Sequence, residues 1–343
     1  MAPLSFFRYT GPPLALPPSI TRTFIPSPNG QLELLSAEPP KNTTPRKTPL
    51  FFAHGGCGSA AVWIEYMSYL AQNHNIPCYA VSYRGHGASW SPWFLNMYFT
   101  TKRAFAEDLI EGVRFVREKE GRDVVLAAHS AGGALSQYAL SEGIGDVRVE
   151  GLALLGAIPA YGSADVNWNW MKNDPWMVIR MFFKHFGNPM SPLSSTRLVK
   201  NAFFCDDCPN EKVAEFRKRT PPFESFAWPN GLMSRFASPI KILQRINGWG
   251  DGERLLVLAG EKDIMVTVKI NEKSTEEYRD AFKELVQIKK IDAKIEHVTE
   301  VDDSESRGEG VVLSIVKGAG HHMQNDLQWE DGVERLYRFY DQL

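Results

Sequence analysis

A serine set between small residues, Ala128-His129-Ser130-Ala131-Gly132, is the group in this chain best placed to do chemistry. The apolar run Val124-Val125-Leu126-Ala127 leads into it, and a helix-forming stretch, Gly133-Ala134-Leu135, leaves it. That pattern predicts a strand, a sharp turn and a helix, with the hydroxyl raised at the turn. The strained backbone of such a turn is tolerated where the residues two before and two after the serine have almost no side chain, and Ala128 and Gly132 meet that condition. A hydroxyl is a poor nucleophile at neutral pH. It needs a base within hydrogen-bond reach, and the base needs an acid to fix its tautomer. Two later loops offer such groups, Gly260-Glu261-Lys262-Asp263 and Gly318-Ala319-Gly320-His321-His322, and an earlier one, His54-Gly55-Gly56-Cys57-Gly58, offers backbone amides.

These loops need a scaffold, and the apolar patterning supplies one. Residues 50–53, 78–81, 124–128, 149–155, 254–258 and 310–316 are short runs of almost wholly apolar residues, as strands buried on both faces must be. Helical spacing of apolar residues occupies 63–72, 105–118 and 329–340. Alternation of the two predicts a mostly parallel sheet flanked by helices, an α/β fold. Near the start, 19–25 and 31–36 read as a hairpin turning through Pro26-Ser27-Pro28-Asn29-Gly30, where Asn-Gly favours the turn. Each candidate loop follows one of the apolar runs. Ligands of open parallel sheets bind beyond the carboxyl ends of the strands, so the loops converge on one region. Between 158 and 249 the alternation stops, and Trp168, Trp170, Trp176, Phe182, Phe183, Phe186, Phe203 and Phe204 enrich a stretch too long for a loop. A helical insertion covering the sheet end is expected there, and a smaller polar excursion at 289–308.

With these four loops in this order, together with Arg84-Gly85-His86-Gly87-Ala88-Ser89, the chain resembles the α/β-hydrolase fold superfamily, in its lidded serine esterase and lipase-like branch. Ala128 stands where that family usually has the first glycine of Gly-x-Ser-x-Gly. The resemblance implies an α/β-hydrolase core in two parts, 1–157 (with an N-terminal arm at 1–18) and 250–343, separated by a helical lid at 158–249 ahead of the acid-bearing strand. It implies Ser130 as nucleophile, Asp263 as acid (Glu261 lying two residues away) and His321 as base (His322 adjoining it). The oxyanion donors would be the amides of Ala131 and Gly56, with Cys57 the second choice. His54, His86 and His129 are expected to serve as structural hydrogen-bonding groups. The implied activity is hydrolysis of a carboxylic ester of a hydrophobic substrate, a lipid ester or a lactone, through an acyl-enzyme. Carbon–carbon bond hydrolysis, cyclisation or thioester hydrolysis on a polyketide-like substrate uses the same triad and is the alternative. A non-catalytic receptor on this scaffold is the reading from another class, although all three triad positions are filled. If lid aromatics line the cleft, Trp168, Trp176, Phe182 and Phe183 would form the substrate pocket.

Composition narrows the partners. The 343 residues carry a net charge of -2 with interspersed signs, which gives no field to attract nucleic acid or an anionic surface. No apolar run reaches the ~18 residues needed to span a bilayer. Arg8 and several prolines interrupt the N-terminal segment, so no signal peptide is expected, nor is the C-terminus a Ser-Lys-Leu-type address; a cytoplasmic location is the default. Four cysteines do not make a disulfide scaffold, and Cys205-Asp206-Asp207-Cys208 lacks the second pair that zinc would want. No metal and no cofactor is expected, and the partner is a small hydrophobic ester, lactone or related molecule.

Overall fold

The apolar runs assemble into a single ten-stranded sheet in a computed structural model that describes residues 4, 12–40, 47–250 and 252–343. Most of the expected N-terminal arm and of the polar connector near 41–46 lies outside the described residues. The strands are Thr21–Ser27 (β1), Gly30–Ala37 (β2), Leu50–Ala53 (β3), Cys78–Val81 (β4), Val124–His129 (β5), Val149–Leu155 (β6), Leu255–Gly260 (β7), Thr299–Asp302 (β8), Glu305–Gly308 (β9) and Val311–Val316 (β10). Their spatial order is β1-β2-β4-β3-β5-β6-β7-β10-β9-β8. From β4 across to β10 every neighbouring pair is parallel, and the edges are antiparallel: β1 with β2, β2 with β4, β9 with β10 and β8 with β9.

That order places the site. The chain runs from β3 outward to β4 and then returns to β5 on the opposite side of β3, so the crossovers diverge between β3 and β5. A crevice opens beyond the carboxyl ends of two strands where connections leave in opposite directions. The His54 loop follows β3 and Ser130 follows β5, so both stand at this switch point.

Helices cover both faces. Ile64–His74 (α1) lies on one; Phe94–Tyr98 (α2), Lys102–Glu120 (α3) and Ser130–Glu142 (α4) follow in the chain. In α3 the buried Phe105, Leu109, Val113 and Val116 recur at three- and four-residue spacing. The Thr101 hydroxyl accepts a hydrogen bond from the Ala104 amide at its start, and Gly121 at φ 67° ends it in the left-handed conformation. Successive strand residues divide between two cores, as period-two side chains must. Leu50, Phe52 and Val125 pack with Tyr66, Met67 and Leu70 of α1, whereas Phe51, Ala53 and Leu126 pack with Phe105, Leu109 and Leu135.

The insertion between β6 and β7 contains helices and no named strand among the described residues: Ala164–Asn173 (α5), Met177–Ile179 (α6), Thr196–Phe203 (α7), Asn210–Phe216 (α8), Ala227–Asn230 (α9) and Pro239–Leu243 (α10). Its last helix packs on α4 and on Val268–Gln287 (α11), so the layer flanking the sheet resumes ahead of residue 249. Trp329–Asp341 (α12) closes the chain beside α1. The polar segment 289–308 is solvent-exposed over most of 289–303, the charged tip 300–303 included, and its end, 299–308, forms the β8–β9 hairpin that extends the sheet through a largely buried β9. Buried polar groups build it: Glu305 accepts from the Arg307 guanidinium at 2.7 Å and from the Ser314 hydroxyl at 3.3 Å. No helix among the described residues is long and apolar enough to cross a membrane.

Candidate active site

Ser130 begins α4 directly after β5 and has φ 52°, the left-handed region that side-chain-bearing residues rarely occupy. Small neighbours make the turn possible. A Cβ on Gly132 would lie 2.2 Å from the His54 carbonyl oxygen and 2.8 Å from that of Ala53. Ala128, fully buried, pairs with Ala53 on one side and Leu154 on the other, and its methyl fits where the sequence departs from glycine. Gly132→Ala is therefore expected to destabilise the protein by roughly 1–3 kcal/mol, since backbone atoms rather than a flexible side chain stand in the way. Denaturant unfolding of the variant checks this, and a midpoint equal to the native one contradicts it.

His321 arrives from the loop after β10. His321 Nε2 lies 2.9 Å from Ser130 Oγ, and His321 Nδ1 lies 2.7 Å from Asp263 Oδ2. Asp263, in the loop after β7, is buried, and its Oδ1 accepts the Met265 and Val266 amides at 2.8 and 2.9 Å. With one oxygen so occupied, the other is aimed at the imidazole. A Cβ on Gly156, at φ 48°, would stand 3.3 Å from Asp263 Oδ2, so this glycine leaves room for the pair. Three side chains far apart in sequence thus form one hydrogen-bonded line. Glu261 is outside it, its carboxylate accepting the Gly318 amide at 2.9 Å.

The other histidines have defined places. His322 donates its backbone N–H to the Phe203 carbonyl at 2.7 Å, and its ring packs against Phe204, Phe216 and His129. Burial first, then the neighbouring His129 and His321, hold its pKa well below the ordinary value. His129 donates from Nε2 to the His321 carbonyl at 2.9 Å, and burial, then the neighbouring His321, holds its pKa well below the ordinary value. His54 donates from Nδ1 to the Gly55 carbonyl, accepts the Tyr83 amide at Nε2 and stacks on the Tyr83 ring at 3.9 Å. Burial, then the nearby His86, lowers its pKa. His321 is the ring that reaches Ser130.

Two backbone segments lie close to Ser130. The Ala131 amide is in the first turn of α4, where amides have no intrahelical partner. In the His54 loop, a Cβ on Gly55 would meet the Ser130 Cβ at 2.9 Å and one on Gly56 would meet the Ala131 Cβ at 3.9 Å. The loop therefore passes directly over the serine. Cys57 is excluded as a donor, because its amide already donates to Glu224 Oε2 at 2.7 Å. Gly56 and Ala131 lie close to each other beside Ser130.

The aromatics of the insertion divide by burial. Trp168, Trp176, Phe182 and Phe183 are 57%, 69%, 47% and 83% exposed, so none is packed into a buried pocket. The apolar groups beside the reacting atoms are Phe203, whose ring centroid is 5.7 Å from that of His321, and Trp228, whose Cζ2 is 3.3 Å from where a Gly56 Cβ would be. Both are nearly fully buried. Sequence alone gives no means of ranking aromatics within one insertion. Cys205 and Cys208 are buried free thiols; the Cys205 amide donates to Asp326 Oδ2, which also accepts the Gly320 amide, both at 2.8 Å. Asp326 thereby ties the insertion to the His321 loop.

Residues 50–336 match the model of the Alpha/beta hydrolase family. Solved structures with the same fold include a thermophilic esterase from Thermogutta terrifontis, with 16% identity over 94% of this chain and 98% of that one and a TM-score of 0.60. A monoglyceride lipase from Saccharomyces cerevisiae superposes with a TM-score of 0.61 at 12% identity, over 96% of each chain. A serine hydrolase involved in carbazole degradation also gives 0.61, at 14% identity, covering 94% of this chain and all (100%) of the other. No curated protein matches the sequence.

Proposed function

Because the chain belongs to the alpha/beta hydrolase family, we propose that it is a serine hydrolase that cleaves a carboxylic ester of a hydrophobic substrate, a lipid ester or lactone, through an acyl-enzyme. The observation that carries this reading is the line from Asp263 through His321 to Ser130, at 2.7 and 2.9 Å. Ser130 Oγ attacks the ester carbonyl while His321 Nε2 takes its proton, and Asp263 stabilises the imidazolium. The amides of Ala131 and Gly56 receive the oxyanion, each such donor being worth about 3 kcal/mol in a related chemistry. Collapse breaks the carbon–oxygen bond, and His321 returns the proton to the departing alcohol. Water, deprotonated by the same imidazole, then attacks the acyl carbon and regenerates the serine. Residues 158–249 act as the lid over this centre.

Trp228 and Phe203 give the centre an apolar border, which favours a hydrophobic acyl or alcohol part, as apolar pockets discriminate by shape and burial. A panel of chromogenic esters of graded chain length, with labelling by a fluorophosphonate, tests the proposal. Turnover that rises with chain length and a single adduct on Ser130 are expected. Absence of both turnover and adduct would favour a receptor on this scaffold.

A further inference from the structure

We propose that Glu224, carried by the insertion, is a positioning residue for the oxyanion donors, clamping the Gly56–Cys57 peptide through a buried ion pair with His86. This rests on Gly56 being one of those donors. One carboxylate serves four partners. Glu224 Oε2 accepts the Cys57 amide at 2.7 Å and faces His86 Nε2 at 3.0 Å. Glu224 Oε1 accepts the Ser225 amide at 2.7 Å and the Trp228 indole N–H at 3.2 Å. The carboxylate is buried, as is the His86 ring.

The loop needs such a hold. Cys57 has φ 58°, a conformation that costs a residue with a Cβ roughly 1–2 kcal/mol. A peptide unit is planar, so fixing the Cys57 N–H fixes the carbonyl of Gly56 with it and limits how the Gly56 amide can turn. Trp228, held by the same carboxylate, closes the space beside Gly56. Without Glu224 the partly buried Cys57 N–H loses its acceptor, and the loop gains by rotating to find another. Oxyanion donors work by being already in place, so such a rotation acts on the rate of the chemical step.

The protonation of His86 follows from its surroundings. Its Nδ1 lies 2.9 Å from the Arg84 carbonyl oxygen, an acceptor, and its Nε2 faces the carboxylate, also an acceptor. Both nitrogens must donate, so the ring is an imidazolium. The other groups around it are compatible. Arg84 is locked to Asp108 by two side-chain hydrogen bonds of 2.7 Å, His54 is neutral, and the remaining ring neighbours are Tyr83 and Phe105. Burial pulls the pKa of His86 down, but Glu224 and the Arg84 carbonyl outweigh it and leave the value raised. Burial likewise pushes Glu224 up, and His86 with the two amides brings it below the ordinary carboxylate value. The His86 contribution is whole below the ordinary histidine pKa and is lost as pH rises through the raised one. That of Glu224 is whole above the ordinary carboxylate pKa and is lost as pH falls through the lowered one.

Steady-state kinetics and histidine-detected NMR on the full chain test the clamp. Glu224→Gln must turn an N–H₂ toward two donors on one side, so kcat is expected to fall by up to about 10²–10³, the cost of losing one oxyanion donor, with KM little changed. His86→Gln keeps a neutral donor toward Glu224 and is expected to retain more activity while losing the alkaline fall in kcat that deprotonation of His86 produces. NMR of the native protein should show both His86 nitrogens protonated at neutral pH, and Glu224→Gln should shift that titration downward. A native kcat in Glu224→Gln, an unaltered alkaline limb in His86→Gln, or a neutral His86 at pH 7 would each overturn the proposal. Should Glu224→Gln fail to fold, His86→Gln and the native spectrum decide. A native protein that hydrolyses no ester while His86 is doubly protonated would count against the esterase reading and leave the clamp standing.

Discussion

Ser130→Ala is expected to lower kcat on the best ester of a panel by about a million-fold, the loss seen when a nucleophile of this kind is removed. The substitution should spare the fold. Ser130 already holds φ 52° with a Cβ in place, and alanine needs no more room than serine. Binding should survive as well, since the apolar border of Phe203 and Trp228 and the amides of Ala131 and Gly56 are untouched, so KM should stay close to the native value. What goes is the oxygen 2.9 Å from His321 Nε2. The nearby groups cannot replace it. The Cys57 thiol is pushed well up in pKa by burial and by Glu224, which keeps it protonated, and His322 is packed among Phe204 and Phe216. Measured kcat and the disappearance of the fluorophosphonate adduct check the expectation. Retention of the native rate would move the nucleophile elsewhere.

The elements that bury apolar side chains were legible in the sequence because their composition declares them. The strand runs at 50–53, 78–81, 124–128 and 149–155 reappear as β3 to β6, and β1 joins β2 through the turn at Pro28-Asn29, closed by the Ser27–Gly30 pair. Strand β9 was not legible, since it is a polar segment, Glu305-Ser306-Arg307-Gly308, whose burial rests on hydrogen bonds with partners distant in the chain, such as Ser314 and Arg279. The same distinction runs through the site. Ser130, Asp263 and His321 each follow an apolar strand, and strand ends converge by topology, so their meeting could be anticipated. Glu224 lies in Pro221-Pro222-Phe223-Glu224-Ser225, between short helices, with nothing local to mark it. Its importance to the geometry depends on three loops meeting, which sequence spacing does not encode. The exposed aromatics make the same point: Trp176 and Phe183 are as apolar as Phe203, but their burial is set by the packing of the insertion and not by residue type.

Asp263→Asn offers the sharper probe of how the base is prepared, because the geometry of this carboxylate dictates which way an amide would turn. Its Oδ1 accepts two backbone amides, Met265 and Val266, and only the carbonyl oxygen of an asparagine can take that place. The N–H₂ group would then face His321 Nδ1, at the position now 2.7 Å from it. A donor there forces Nδ1 to accept, and the ring proton moves to Nε2. The nitrogen facing Ser130 would then carry a hydrogen and could not receive another. The variant should therefore keep its fold and its substrate affinity while kcat drops by about 10⁴ at neutral pH, as the same tautomer exchange costs in a related triad. The loss should be smaller than that for Ser130→Ala, since the hydroxyl and its oxyanion donors remain in place. Kinetics of the two variants side by side provide the measurement, with nitrogen NMR of His321 reporting which ring position is protonated. A native tautomer with unchanged kcat would show that Asp263 does not orient the base. An Nε2-protonated ring with a collapsed rate ties the chemistry to the two amides, at residues 265 and 266, that fix the carboxylate.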